Sequence, residues 1–287
     1  MTRYARVVEA TRFHEAYQRA CAAVGPTIRL GGARYRVLTQ ISAGANARLM
    51  LADRINACGE RVVLKLAQES SPAGRLLRES KVLDDLQDDS APGAAYFTQR
   101  LPQAIAYGIA EEADGRSGEA LVLRNPSGFW GSLADVHANY PDGIDARHVV
   151  WMWRRTLDVL AYVHAAGWTH GAIYPDHLLV HPGDHGILII GWAGAQRVDS
   201  GNAAFARDLV RAAWSMRALL CASGCHAVPA LPESVPAPLA ALLLRASEDL
   251  AWSAAVGARG MADELVSAAA AAFGAPKFID FNPTRQL

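Results

Sequence analysis

The chain predicts an α+β fold: a small antiparallel β part carrying one helix, then a shortened, mainly α-helical part, with an extra helix at the N-terminus. Three observations lead there. Between Tyr35 and Arg124, apolar and polar residues alternate in runs such as RVVLKLA (61–67) and ALVLR (120–124), as half-buried strands require. From His148 to His164, apolar residues return at helical spacing through Val149, Met152, Trp153, Leu157, Leu160 and Val163, which buries one face of a long helix. Beyond it, the β-prone runs Leu178 to Val180 and Ile187 to Ile190 flank the turn signal Pro182-Gly183-Asp184, a small hairpin.

Taken in order, residues 1–30 form an N-terminal helical extension, in which residues 1 to about 24 are an amphipathic helix with Tyr4, Val7, Val8, Phe13, Tyr17 and Ala20 toward one side. Residues 31–125 are the β part. It holds the loop ISAGANARLML and a helix over Leu76 to Leu86, and it closes with a strand over Ala120 to Arg124. Asn125, Pro126 and Ser127 form the linker, and 126–287 the helical part. There SLADVHANY leads to the long helix, Gly167 suits its C-terminal cap, and Pro175 holds a tight loop. FARDLVRAAWSMRALL is a further helix. A proline-rich connection, AVPALPESVPAP, separates it from two more, at Pro238 to Trp252 and Gly260 to Phe273. The apolar alternation of the tail GAPKFIDFNP predicts that it folds back on the body.

Composition narrows the function classes. With 287 residues, 51% of them hydrophobic, the chain can bury a large core. Lys plus Arg equals Asp plus Glu at 28 each, and no basic stripe interleaved with aromatics is present, which argues against a nucleic-acid surface. Four scattered cysteines make no disulfide framework, and Cys221, Cys225 and His226 lack the second ligand pair of a zinc site. The N-terminus has no apolar signal core and no apolar run reaches membrane-spanning length, so a cytoplasmic protein without a membrane partner is expected.

The order of helix, His-containing loop, hairpin and following tripeptide resembles that of protein kinases, in which HRDLKPxN is followed by two strands and DFG. Placed on that pattern, His170 takes the His, Gly171 the Arg, Ala172 the catalytic Asp, Pro175 the Pro and His177 the metal-binding Asn, while Gly191-Trp192-Ala193 stands at DFG. Upstream, Lys65 and Glu79 match the strand lysine and helix glutamate that pair behind a nucleotide's phosphates. Ser42, Gly44 and Ala47 stand where the phosphate loop has three glycines; a plain hairpin turn fits the same residues. Leu123 and Asn125 fall at the hinge that adjoins a nucleotide. Asp208 is either a helix cap or, by the resemblance, the anchor of the catalytic loop's backbone. The HG form of the loop also resembles a bacterial group of kinase-like proteins, and the HGDxxxxN pattern of aminoglycoside phosphotransferases.

The resemblance therefore implies a bilobal protein-kinase-like fold from which the catalytic and metal-binding carboxylates are missing. A lost general base costs about 10²- to 10⁴-fold, and lost magnesium ligands cost several kcal/mol of charge stabilisation besides. Asp176 is the candidate substitute. Asp184-His185-Gly186 mimics a metal motif but sits in the hairpin turn. The expectation is a pseudokinase that senses nucleotide or scaffolds a protein partner, with ATP held independently of metal and Mg²⁺ not bound. The alternative is a divergent Ser/Thr kinase or small-molecule phosphotransferase.

Overall fold

The computed structural model describes residues 25–55, 57, 60–88, 92–198, 203–222 and 230–284. The expected N-terminal helix, Cys225 and His226 lie outside them. The chain divides into two compact units, the first made of residues up to Asp84 together with Gln103–Ser127, the second of Asp85–Pro102 and Gly128–Leu287.

The first unit is a closed barrel with strand order β1-β2-β3-β4-β6-β5: β1 Thr27–Leu30, β2 Ala33–Ala43, β3 Ala47–Arg54, β4 Arg61–Ala67, β5 Ala104–Glu111 and β6 Ser117–Arg124. All its pairings are antiparallel. The period-two alternation turns Ile28, Leu30, Tyr35, Met50, Val62, Leu64 and Val122 into one core. Residues 27–30 therefore correct the expected helical extension at its C-terminal end: they are a strand. The signal is Gly31-Gly32, a two-residue hairpin turn in which both residues have positive φ, so the chain reverses and Ile28 and Leu30 face the barrel interior.

Helix α1, Arg75–Gln87, buries Leu76, Val82, Leu83 and Leu86. Its last turn and the short helix α2, Ala94–Phe97, belong to the second unit. The Tyr162 hydroxyl donates to Leu86 O at 2.9 Å, and Phe97 stacks on Tyr162 with ring centroids 5.3 Å apart. The sequence pattern carries no sign of this segment's attachment, because it depends on contacts made far along the chain.

In the second unit β7, Gly131–Ser132, leads into α3, Leu133–Asn139, through a capping box between Ser132 and Asp135. Helix α4, Ala146–Ala165, is the predicted long helix, and all six of its predicted apolar positions are buried. The chain continues through β8 (Trp168–Thr169), the hairpin β9 (Leu178–His181) and β10 (Gly186–Ile189), β11 (Gln196–Arg197) and α5 (Ala203–Ala218). Helices α6, Ala237–Glu248, and α7, Leu250–Phe273, meet at Asp249, which caps α7 by accepting from Trp252 N at 2.8 Å. This moves the boundary between the last two helices from the expected Trp252–Gly260 gap to Asp249. The remaining glycine signal appears as a break at Gly257 inside α7.

The tail does fold back. Phe281 is buried against His148 and Trp151, Phe278 stacks on His185 at 4.2 Å, and Asn282 O accepts from the Tyr140 hydroxyl at 2.6 Å. His185 is in turn stacked on Trp151 at 4.3 Å, so the Asp184-His185-Gly186 turn serves as a seat for the tail.

Candidate functional site

In the first unit the strand–helix pair is formed. Alternation along β4 sends Val62, Leu64 and Leu66 into the barrel and Lys65 to the opposite face. Glu79 lies on the buried side of α1 with Leu76, Val82 and Leu83. Lys65 Nζ donates to Glu79 Oε2 at 2.7 Å, with the glutamate side chain only 1% exposed. A carboxylate so buried needs a cation beside it, because an isolated charge would be expelled or neutralised.

The loop between β2 and β3 is a tight hairpin. Gly44 N donates to Ala47 O at 2.9 Å, so the amide of its one glycine is spent inside the turn. Gly44 does not have positive φ, and a Cβ there would meet nothing closer than Ala47 O at 3.9 Å. Ser42 is exposed at the end of β2, whereas Ala47 is buried at the start of β3. Two residues that sequence reading missed hold this loop by its carbonyls. Gln68 donates through N to Asn46 O at 3.0 Å and through Nε2 to Gly44 O, and Ser70 Oγ donates to Ala45 O at 3.1 Å. Leu123, half-buried on β6, pairs with Val63 and Ala104, and Asn125 follows the strand's end.

In the second unit Asp208 organises the loop after β8. It stands within α5, is fully buried, and accepts from His170 N at 2.7 Å, Gly171 N at 2.9 Å and His164 Nε2 at 3.2 Å. Of its two possible roles, the geometry gives the backbone anchor. Burial alone would raise its carboxyl, but the hydrogen bond and charge of His164, with the charge and amide of His170, outweigh that and hold it below the ordinary range. Arg211, one turn further along α5, donates to Gly171 O and lies 5.3 Å from the Tyr174 ring centroid. Its i+3 spacing from Asp208 was the available signal.

His170 is a structural residue. Its Nδ1 accepts from Ala172 N at 3.2 Å, which makes Nε2 the protonated nitrogen that donates to Ile190 O at 2.9 Å. Burial pushes its pKa down to about 4, against the pull of Asp208, so the ring is neutral at physiological pH. Trp192 is fully buried edge-on to His170 at 4.5 Å and donates from Nε1 to Ile189 O at 2.7 Å.

The three positions without a kinase-type residue lie together. His177 Nδ1 donates to Ala172 O at 2.7 Å, fixing the ring. Gly191 has φ 86°, and a Cβ built on it would lie 2.9 Å from His177 Nε2 and 3.0 Å from two ring carbons. The imidazole thus occupies the space a side chain at 191 would need. Asp176 is exposed in the short turn Pro175–His177. Among the described residues, no group of three or more His, Cys, Asp or Glu side chains clusters closely enough to hold a metal ion, and no helix is long and apolar enough to cross a membrane.

This loop, its anchor and the strand–helix ion pair define a protein of the kinase superfamily, and the comparisons with known proteins agree. Residues 70–216, slightly more than half of the chain, match the model of the lipopolysaccharide kinase (Kdo/WaaP) family, and the chain belongs to that family. No curated protein matches the sequence. Among solved structures, the BubR1 kinase domain superposes with a TM-score of 0.62 at 12% identity, over 93% of this chain and 92% of that one. The kinase domain of PF14_0431 gives 0.50 at 14% identity over 66% of this chain, which spans only 63% of that domain. Identities this low establish the kinase fold and nothing finer.

Proposed function

We propose that this chain is a pseudokinase, a member of a kinase family that has lost phosphoryl transfer and serves as a nucleotide-sensing or scaffolding module for a protein partner in the cytoplasm. The two compact units are the two lobes of the fold. One observation carries the reading. Ala172 and Gly191 offer no side-chain oxygen, and His177, the third of these positions, spends Nδ1 on Ala172 O and fills the space over Gly191. Phosphoryl transfer rests on positioning and on charge neutralisation by metal ions held by carboxylates, with a carboxylate orienting the acceptor. These residues do not fit a magnesium ion.

Nucleotide recognition falls to Lys65, held by Glu79, with Ser42, Gly44, Ala47, Leu123 and Asn125 as neighbouring contacts. A single ammonium pairs with phosphate without metal, so ATP binding is expected to be weak and independent of Mg²⁺. The second reading is a phosphotransferase acting on a lipopolysaccharide sugar, favoured by the family's description, with Asp176 as base.

A thermal-shift titration with ATP, with and without Mg²⁺ or Mn²⁺, and an assay of γ-phosphate transfer separate them. Equal stabilisation with and without metal, lost in Lys65→Ala, and no transfer supports the pseudokinase. Metal-dependent turnover abolished by Asp176→Asn establishes the enzyme.

A further inference from the structure

We propose that the outer face of the β1–β2 hairpin is a binding site for phosphate-bearing anions, built by Arg29, Arg34 and Arg36. The Gly31-Gly32 turn pins the register, setting Leu30 opposite Ala33, Arg29 opposite Arg34, Ile28 opposite Tyr35, and Thr27 opposite Arg36. Ile28, Leu30 and Tyr35 are buried, so alternation sends all three arginines to the outer face, where each is exposed.

The hydrogen-bonding phase brings the first two close. A two-residue turn makes Leu30 and Ala33 the hydrogen-bonded pair, which leaves Arg29 and Arg34 as a non-hydrogen-bonded pair. In agreement, Arg34 O turns away from β1 to accept from Ile55 N at 2.8 Å. Residues in such pairs approach to about 4.5 Å between Cα atoms, the nearest approach of side chains that an antiparallel ladder provides. Like charges placed there destabilise the sheet. An anion that accepts from both guanidinium groups would turn this repulsion into attraction.

The rest of the unit gives the contrast. Arg48 is paired with Glu112 at 2.5 Å, Arg54 with Glu60 at 3.1 Å, Arg61 with Asp53 at 3.0 Å and Arg116 with Asp114 at 2.8 Å. Arg29, Arg34 and Arg36 make no side-chain hydrogen bond or ion pair among the described residues. Two carboxylates flank them in register: Glu111 opposite Arg29 on β5, and Asp53 opposite Arg36 on β3, the latter already held by Arg61. The face therefore keeps a positive excess.

The geometry selects phosphate over carboxylate. A carboxylate's two oxygens satisfy one guanidinium fork, whereas a phosphate group has enough terminal oxygens to accept from two forks at once. Arg36, about 7 Å further along the same face, is placed for a second phosphate. The end groups of soluble polyphosphates and the phosphomonoester headgroup of phosphatidic acid share this chemistry.

Two probes test it: inorganic tripolyphosphate followed by thermal shift, and co-sedimentation with phosphatidylcholine vesicles with and without phosphatidic acid. The Arg29→Ala/Arg34→Ala variant should lose about tenfold or more in affinity, as expected when two charge-assisted contacts go. Arg78→Ala/Lys81→Ala, which removes the same charge from the exposed face of α1, should change it little. The double variant at the hairpin should melt no lower than the parent, since it relieves repulsion. Binding of tripolyphosphate alone assigns a soluble ligand, binding of acidic vesicles alone a lipid headgroup, and binding of both the shared phosphate chemistry. Binding of neither probe, or equal loss in both variants, overturns the proposal.

Discussion

Lys65 with Glu79 in the first unit, and Ala172 with His177 and Gly191 in the second, are two sets of positions that stand in opposite relation to the kinase pattern. The first keeps both charges; the second keeps none of its carboxylates. The difference follows from burial. Glu79 is packed among Leu76, Val82 and Leu83, where the loss of either partner strands a charge in an apolar setting, so stability alone is enough to favour the pair, whatever ligand it also serves. At 172 and 191 the carboxylates of a kinase serve ligands. Here neither position has a side-chain oxygen, and the Ala172 carbonyl and the His177 ring satisfy each other at 2.7 Å. A kept ion pair is therefore weak support for kinase chemistry, whereas the filled space over Gly191 bears on it directly.

The largest expected effect lies under the second set. Asp208→Ala removes the acceptor of two buried amides and of His164, and should cost about 3–5 kcal/mol by denaturant unfolding. A loss below about 1 kcal/mol would mean that the loop is held in some other way. The same cluster sets an acid profile. The folded His170 has its pKa lowered to about 4 from 6.5, so on acidification the unfolded chain takes up a proton first, and stability falls between those values. The Asp208 carboxyl is held below its ordinary range, so its contribution is present above about pH 4 and is lost as pH falls further. His170→Gln should flatten the upper stage. It will not abolish it, because burial also lowers His148 to about 4.

Next comes the test of the plug over Gly191. Gly191→Asp restores the missing carboxylate but places a Cβ at positive φ and against the His177 ring, and should destabilise by about 2–4 kcal/mol. Adding His177→Ala should return part of that loss, leaving a coupling energy of at least about 1 kcal/mol in the double-mutant cycle. Additive effects would show that imidazole and side chain do not compete.

For the first set, Lys65→Ala should cost about 2–4 kcal/mol by stranding Glu79, while Lys65→Met with Glu79→Leu should recover most of the loss. Failure of the double replacement to recover would mean that the pair contributes more than mutual neutralisation.

Much of this was legible in the sequence, for reasons that differ by residue. The barrel strands and α4 announce themselves through local periodicity, whereas Lys65 and Glu79 were legible only through their resemblance to the kinase strand lysine and helix glutamate. Gly31-Gly32 was a readable turn signal that, once applied, moves residues 27–30 from the N-terminal extension into the β part as a strand. The attachment of residues 85–102 to the second unit was not readable, because it rests on Tyr162, some 76 positions away from Leu86. Nor was the plug. His177 and Gly191 each read as a missing ligand, and only the fold shows that one side chain fills the other's space. The role of Asp208 was undecided between cap and anchor until its place inside α5 removed the first.

The smallest effect sharpens the contrast between glycines. Gly191 is demanded by conformation and by space, whereas Gly44 has neither constraint: its φ is not positive, and a methyl group there meets only ordinary contact. Gly44→Ala should change stability by less than about 0.5 kcal/mol, since no strain offsets the small gain in unfolded-chain entropy. Its effect on ATP affinity should be equally small, because Gly44 N is already bonded to Ala47 O and is not available to a phosphate. A large loss of ATP-induced stabilisation in this variant, with folding intact, would show that the turn opens to bring that amide to the nucleotide. The loop would then be a working phosphate cradle closed at rest by Gln68 and Ser70, and Gln68→Ala should raise the affinity.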